Sequence, residues 1–223
     1  MDTPAPRNLR LRFEKTGDIR FISHLDLSRA LHRAFFRAKI PLKYSEGFSP
    51  HPKFSLVMPL SVGTESLTEL ADFSLAEGCA LSPDEIQKRL ADQLPAGLTV
   101  RAVEEMTEKP PAPAFASYRV FLPKTPPDAI PAIEAALGTP LLVEKKNKKG
   151  KPVEKDVSPG IREIHVRPRE GGVELSCLLS ASAADYLGPD LLIRALVSHV
   201  PALDPAGKET LREAIFTAEL QKI

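Results

Sequence analysis

Leu9, Leu11 and Phe13 alternate with Arg10, Arg12 and Glu14, a period of two that predicts a β-strand with one apolar and one charged face. Thr16-Gly17-Asp18 supplies turn chemistry, and Ile19-Arg20-Phe21-Ile22 beyond it reads as more strand, reached through a bulge or a tight hairpin. From Ser23 the period changes to that of a helix. Leu27, Ala30, Leu31, Ala34, Phe35 and Ala38 share one face, and Arg29, Arg33 and Arg37 the other. Ser23 followed three residues later by Asp26 resembles a capping box, and Ile40-Pro41 stops the helix near Lys39.

After Leu42-Lys43-Tyr44 and a loop from Ser45 to Pro52, strands are expected at Phe54–Met58 and Leu70–Leu75. Ser82 caps a second helix that begins with Pro83, carries Asp84 and Glu85 in its first turn and stops at Pro95-Ala96-Gly97. Leu98–Val103 is a further strand. The order β-α-β-β-α-β is the split βαβ, ferredoxin-like plan. Lys109-Pro110-Pro111-Ala112-Pro113-Ala114 has no apolar period and reads as an extended connector.

The same order is expected again beyond it. Strands are placed at Tyr118–Leu122, Leu141–Val143, Gly160–Pro168, Gly172–Ser180 and Ala214–Ala218, one more than the plan needs, with helices at Asp128–Leu137 and Pro189–Val200. The fold expected is therefore α+β, two ferredoxin-like halves in tandem: residues 1–108, a Pro-rich connector 109–116, and residues 117–223.

Composition narrows the function classes. With 43% hydrophobic and 26% charged residues among 223, the chain buries a core and is not a disordered polymer. Cys79 and Cys177 alone provide no iron–sulfur cluster, four-thiolate zinc site or disulfide framework, so no cofactor is expected and both thiols suit a reducing cytoplasm. A zinc site from His24, His51, Asp72 and Cys79 lacks the usual short ligand spacing, and no metal is expected. No signal sequence or membrane-length apolar run is present, which leads us to expect a cytoplasmic protein with no membrane partner.

The formal net charge of +1 conceals a segregation. Residues 1–60 carry eleven Lys+Arg against five Asp+Glu, net +6, while residues 61–115 carry net −6. A second basic run, Lys145-Lys146-Asn147-Lys148-Lys149-Gly150-Lys151, reads as a solvated loop tip. The basic N-terminal stretch includes Arg20, Arg29, Arg33, Arg37 and Lys53, a pattern suited to phosphates.

Candidate chemistry concentrates at Tyr44-Ser45-Glu46-Gly47-Phe48-Ser49-Pro50-His51-Pro52-Lys53. Pro50 and Pro52 restrict the backbone around His51. Gly47 permits a positive φ or close approach of a ligand, and Tyr44 and Phe48 offer rings on which bases stack. Each residue also has an ordinary reading as core plug, turn former or solvated charge. Their concentration within a basic segment favours a site. His24, at the start of the first helix, is a second candidate. The positive helix end favours its neutral form there, suiting it to a hydrogen-bonding or base role.

The words Arg20-Phe21-Ile22-Ser23-His24-Leu25-Asp26 and Tyr44 through Lys53, within Leu11 to Asp72, resemble the radical-SAM-linked family of bacterial domains. In that family the domain stands alone or is fused behind a radical-SAM protein. Such proteins look similar to RNA-handling ferredoxin-like folds, including CRISPR repeat-processing proteins, although here no glycine-rich loop precedes the final strand. The resemblance implies a radical-SAM partner, encoded nearby or fused in relatives, that carries the cluster. The function expected is a non-catalytic RNA- or substrate-binding companion of that enzyme, in RNA modification. Two alternatives stand beside it. One is a metal-independent RNA endonuclease with His51 or His24 as general base, and the other a protein-interaction adaptor that never touches nucleic acid.

Overall fold

The computed structural model describes residues 7–146 and 152–223. The chain divides into two compact units, Met1–Pro111 and Ala112–Ile223. Among the described residues there are ten strands and four α-helices, an α+β composition. None of these helices is long and apolar enough to cross a membrane.

The first unit contains β1 (Asn8–Lys15), α1 (His24–Arg37), β2 (Phe54–Val57), β3 (Thr64–Ser74), α2 (Pro83–Ala91) and β4 (Leu98–Glu105). Its strands are ordered β4-β1-β3-β2 and every neighbouring pair is antiparallel. Leu9, Leu11 and Phe13 turn to one face, where they meet Ala71 and Phe73 of β3, Leu27, Leu31, Ala34 and Phe35 of α1, and Ile86 and Leu90 of α2. Burying each of the larger side chains stabilises the unit by about 2 kcal/mol. The alternation of Leu, Phe and Arg along β1 therefore decides which face the helices cover.

The caps follow local chemistry. At α1 the Ser23 hydroxyl accepts the Asp26 N–H at 3.2 Å and donates to the Asp26 carboxylate at 2.7 Å. The reciprocal half of a capping box occurs instead at α2, where the Glu85 carboxylate accepts the Ser82 N–H. α1 ends as Lys39 takes a left-handed φ of 54°. Its N–H and that of Ile40 close onto the carbonyls of Phe36 and Phe35, a pairing usually built on glycine.

One expectation is corrected here. Gly17–Phe21 is a 3₁₀ helix, not a strand. Gly17 has a φ of 72° and turns the chain out of the sheet, and Arg20 accepts the Gly63 N–H through its backbone carbonyl. The apolar Ile19 and Phe21 that mimic a strand period are the anchor and the exposed edge of that turn.

The second unit contains β5 (Phe115–Leu122), α3 (Ile130–Leu137), β6 (Leu142–Lys146), β7 (Pro152–Asp156), β8 (Ile161–Arg169), β9 (Gly172–Ser180), α4 (Pro189–His199) and β10 (Glu209–Phe216). Four strands form antiparallel neighbours in the order β10-β5-β9-β8. β6 and β7 pair only with each other, a hairpin between α3 and β8. Tyr118, Val120 and Leu122 of β5 and Val173, Leu175 and Cys177 of β9 are buried, as are Ile133 of α3 and Leu192 and Leu196 of α4. Ser117, Arg119, Ser176 and Leu178 alternate with them and reach the other face, where they are half-buried. Of the basic run after Val143, residues 147–151 lie outside the described residues.

Candidate functional site

The segment from Lys43 to Lys53 is held as a protruding loop whose base is sewn to the sheet. Lys43 N–H donates to the Ser74 carbonyl at 2.8 Å, Ser74 N–H to the Lys53 carbonyl at 3.0 Å, and Lys53 N–H to the Lys43 carbonyl at 2.7 Å. Tyr44 and Pro52 form an isolated bridge. Within the loop Ser45 holds His51 at three points. Its N–H donates to the His51 carbonyl at 2.8 Å, its hydroxyl accepts the His51 N–H at 3.1 Å, and the same hydroxyl lies 2.9 Å from the His51 Nδ1. The imidazole orientation is thus fixed while its Nε2 stays exposed.

Phe48 is fully exposed and Tyr44 more than half exposed. Gly47 has a φ of 125° with nothing near the position of a Cβ, so its glycine serves the backbone turn and not close packing. Aromatic rings presented to water from a loop pinned at its base are not core plugs.

Arg33 and Arg37 lie in the C-terminal half of α1. Arg37 hydrogen-bonds the Gln93 carbonyl at 2.6 Å, and Phe36 between them is 84% exposed. Arg20, His24 and Arg29 lie at the opposite end. Ser74 at the loop base faces Asn8 at the start of β1, whereas Lys15 at the end of β1 faces Ser66, close to the Gly63 that bonds Arg20. With α1 spanning fourteen residues, about 20 Å separate the two ends. His24 and His51 therefore do not share a site. Tyr44, Gly47, Phe48, His51 and Lys53 are brought together in the loop, while Arg33 and Arg37 sit on α1, where Arg37 reaches Gln93.

Ion pairing changes the meaning of the basic segment. Arg7 pairs with Glu105, Arg10 with Asp72, Arg12 with Glu104, Arg20 with Glu65, Arg29 with Asp26 and Lys43 with Glu77. Five of those six carboxylates come from the acidic stretch after residue 60. The Ser23 hydroxyl and the Arg29 guanidinium hold the Asp26 carboxyl below the usual carboxylate range. Among the described residues Arg33, Arg37, Lys39 and Lys53 make no ion pair, and all four lie in the second half of α1 or in the segment that follows it. Within residues 1–60 positive charge without an ion-pair partner is thus carried by the second half of α1 and the segment that follows it.

Two features carry no sequence signal that the pattern analysis used. His32 packs edge-on against Phe54 at 4.7 Å with its Nε2 buried and unpartnered, and burial lowers its pKa. A depression on the second unit's sheet is lined by Ser117, Glu163, His165 and Ser176, residues that only strand pairing brings together. Burial pushes the Cys177 thiol up to about 12, so it is inert at neutral pH. Among the described residues no cluster of three His, Cys, Asp or Glu side chains is placed to hold a metal ion.

Comparison with the curated proteins finds no match. A family model described as an uncharacterized protein conserved in bacteria (DUF2344) matches residues 8–189. The matched span takes in the loop, α1 and all three histidines of the first unit, and the chain belongs to that family.

Proposed function

We propose that this protein is a non-catalytic RNA-binding module, working in the cytoplasm as the companion of a radical-SAM enzyme in RNA modification. The observation that carries the RNA reading is the segregation of unpaired charge. Six of the eleven cations in residues 1–60 are neutralised by carboxylates, while Arg33, Arg37, Lys39 and Lys53 make no ion pair, and Phe36, Tyr44 and Phe48 of the same stretch of chain are exposed. Cations that track a phosphate backbone next to rings that stack on unpaired bases are the combination that single-stranded nucleic acid needs. The radical-SAM partner rests on the resemblance of the Arg20–Asp26 and Tyr44–Lys53 words. We further read each unit as ferredoxin-like, supported by the strand orders β4-β1-β3-β2 and β10-β5-β9-β8, with a helix after the first and third strand of each set.

A nuclease reading that pairs the two histidines draws no support from their placement, His24 at the start of α1 and His51 in the loop that follows its end. Fluorescence anisotropy with a labelled single-stranded RNA, across a salt series, tests the proposal. Arg33→Glu with Lys53→Ala weakens binding at least tenfold and flattens its salt dependence. Phe48→Ala weakens it with the salt slope unchanged. Binding unaltered in both variants removes the proposal, and a protein that binds no RNA yet co-purifies with a cluster enzyme favours the adaptor instead.

A further inference from the structure

The face of the second unit's sheet on the side opposite its buried residues holds a depression of ≈ 260 Å³. Ser117 on β5 and Ser176 on β9 form its floor, because two small side chains sit on neighbouring central strands where larger ones would fill the space. Leu178, directly across from Ser117, and Phe216 are its apolar walls. Glu163 and Glu213 stand at the rim. The volume is slightly below the ~300 Å³ at which ordinary small-molecule sites begin, room for a single planar ring and little more.

The hydrogen-bonding capacity is unequal. The Glu163 carboxylate takes the His165 imidazole on Oε1 at 2.7 Å, and Glu213 takes both Arg119 nitrogens on its own Oε1, at 3.1 and 2.6 Å. Among the described residues the Oε2 atom of each carboxylate and both serine hydroxyls make no hydrogen bond. Two unused anionic acceptors disfavour a phosphate inside the depression and favour a group that presents N–H donors. The cations lie farther along the strands. Arg167 and Arg169 share the Glu174 carboxylate, and Arg169 also stacks over Phe121 at 4.1 Å.

We propose that this depression receives one unstacked nucleobase bearing an exocyclic amino group, selecting cytosine over uracil, a reading that rests on RNA being the ligand of the protein. The ring lies between Leu178 and Phe216. The serine hydroxyls donate to its ring acceptors, and a free carboxylate oxygen accepts from the amino group. Uracil sets a carbonyl oxygen where cytosine sets that amino group, and so faces the carboxylates with a second acceptor.

The test is the affinity of the full chain for labelled oligo(C) and oligo(U) of equal length at one salt concentration. Wild type binds oligo(C) about fivefold or more tightly than oligo(U). Glu163→Gln with Glu213→Gln, and separately Ser176→Leu, which fills the floor, each bring that ratio close to one. Equal wild-type affinities, or a ratio that survives in either variant, overturn the base-selecting site while leaving RNA binding intact. Absence of binding to both oligonucleotides overturns the site and the RNA reading together.

Discussion

Arg10 on β1 lies directly across from Asp72 on β3 and grips it through two parallel hydrogen bonds, Nε to Oδ1 at 2.7 Å and Nη2 to Oδ2 at 2.9 Å. The Arg10 side chain is only 6% exposed. Its charge was removed from water to make this pair, and the fork of the guanidinium matches the carboxylate. Asp72→Ala leaves a buried guanidinium unpaired and is expected to cost about 3 kcal/mol in a urea titration. Replacing both residues with apolar ones costs much less. A single-variant loss near zero shows that the pair contributes charge cancellation alone.

Gly97, in the connection from α2 into β4, is expected to reject any side chain. It has a φ of 87°, and a Cβ there meets the Thr16 carbonyl oxygen at 2.5 Å and Ile19 Cγ2 at 2.7 Å. The same Thr16 donates its N–H to the Gly97 carbonyl at 2.9 Å, so the two backbones cannot separate without losing that bond. Gly97→Ala is predicted to destabilise the protein by about 3 kcal/mol through backbone strain and displacement. Gly47→Ala meets nothing within 4 Å and costs only the strain of its positive φ. Thermal melting of the two variants checks the order.

Much of this organisation was legible from pattern because one apolar face dictates each element. β1, α1, α2, β5, β9 and α4 all carry a clean period, and the structure places them within a residue or three of expectation. Strands with polar residues on both sides were not legible. β3 begins at Thr64, six residues before its apolar pattern does, because Thr64-Glu65-Ser66 looks like a loop. β10 begins at Glu209, since Arg212 interrupts the run, yet Arg212 is wholly buried directly across from Tyr118. The loop site was visible as dense unusual residues, but which cations are spent on carboxylates depends on cross-strand neighbours, and a segment sum cannot register that. The β5–β9 depression was invisible for the same reason: Ser117 and Ser176 lie 59 positions apart and only register unites them.

His32 gives the first unit a pH-dependent stability. Burial beside Phe54 lowers its pKa from an ordinary 6.5, so the folded state holds the neutral ring while the unfolded chain takes up a proton near 6.5. Between the lowered value and 6.5 the unfolded state binds more protons, and stability therefore rises with pH across that window and falls as pH drops through it. The carboxylates whose pKa is lowered from ordinary values of 3.8 and 4.5, Asp26, Glu85 and Glu105, lose their contribution only at pH values more acid than those of the titration below. Urea midpoints measured from pH 7.5 to 5.5 are expected to decline in wild type more than in His32→Phe. Parallel curves for the two proteins rule out this contribution.

The contrast between paired and unpaired arginines is the sharpest consequence for binding. Arg12 and Arg33 belong to the same basic segment, but Arg12 donates to Glu104 at 2.9 Å, and Arg33 has no such partner among the described residues. Counterion release counts only cations that neutralise phosphates, and for a single strand each contributes about 0.7 to the slope of log affinity against log salt. Arg33→Ala is expected to lower that slope by about 0.7. Arg12→Ala frees Glu104 at a surface site where ion pairs contribute about 1 kcal/mol or less, and it leaves the slope unchanged. Equal slope losses in the two variants place the nucleic acid across the sheet and not at the loop end. A loss confined to Arg33 ties the unpaired cations to the rings of Phe36 and Phe48 as one binding surface.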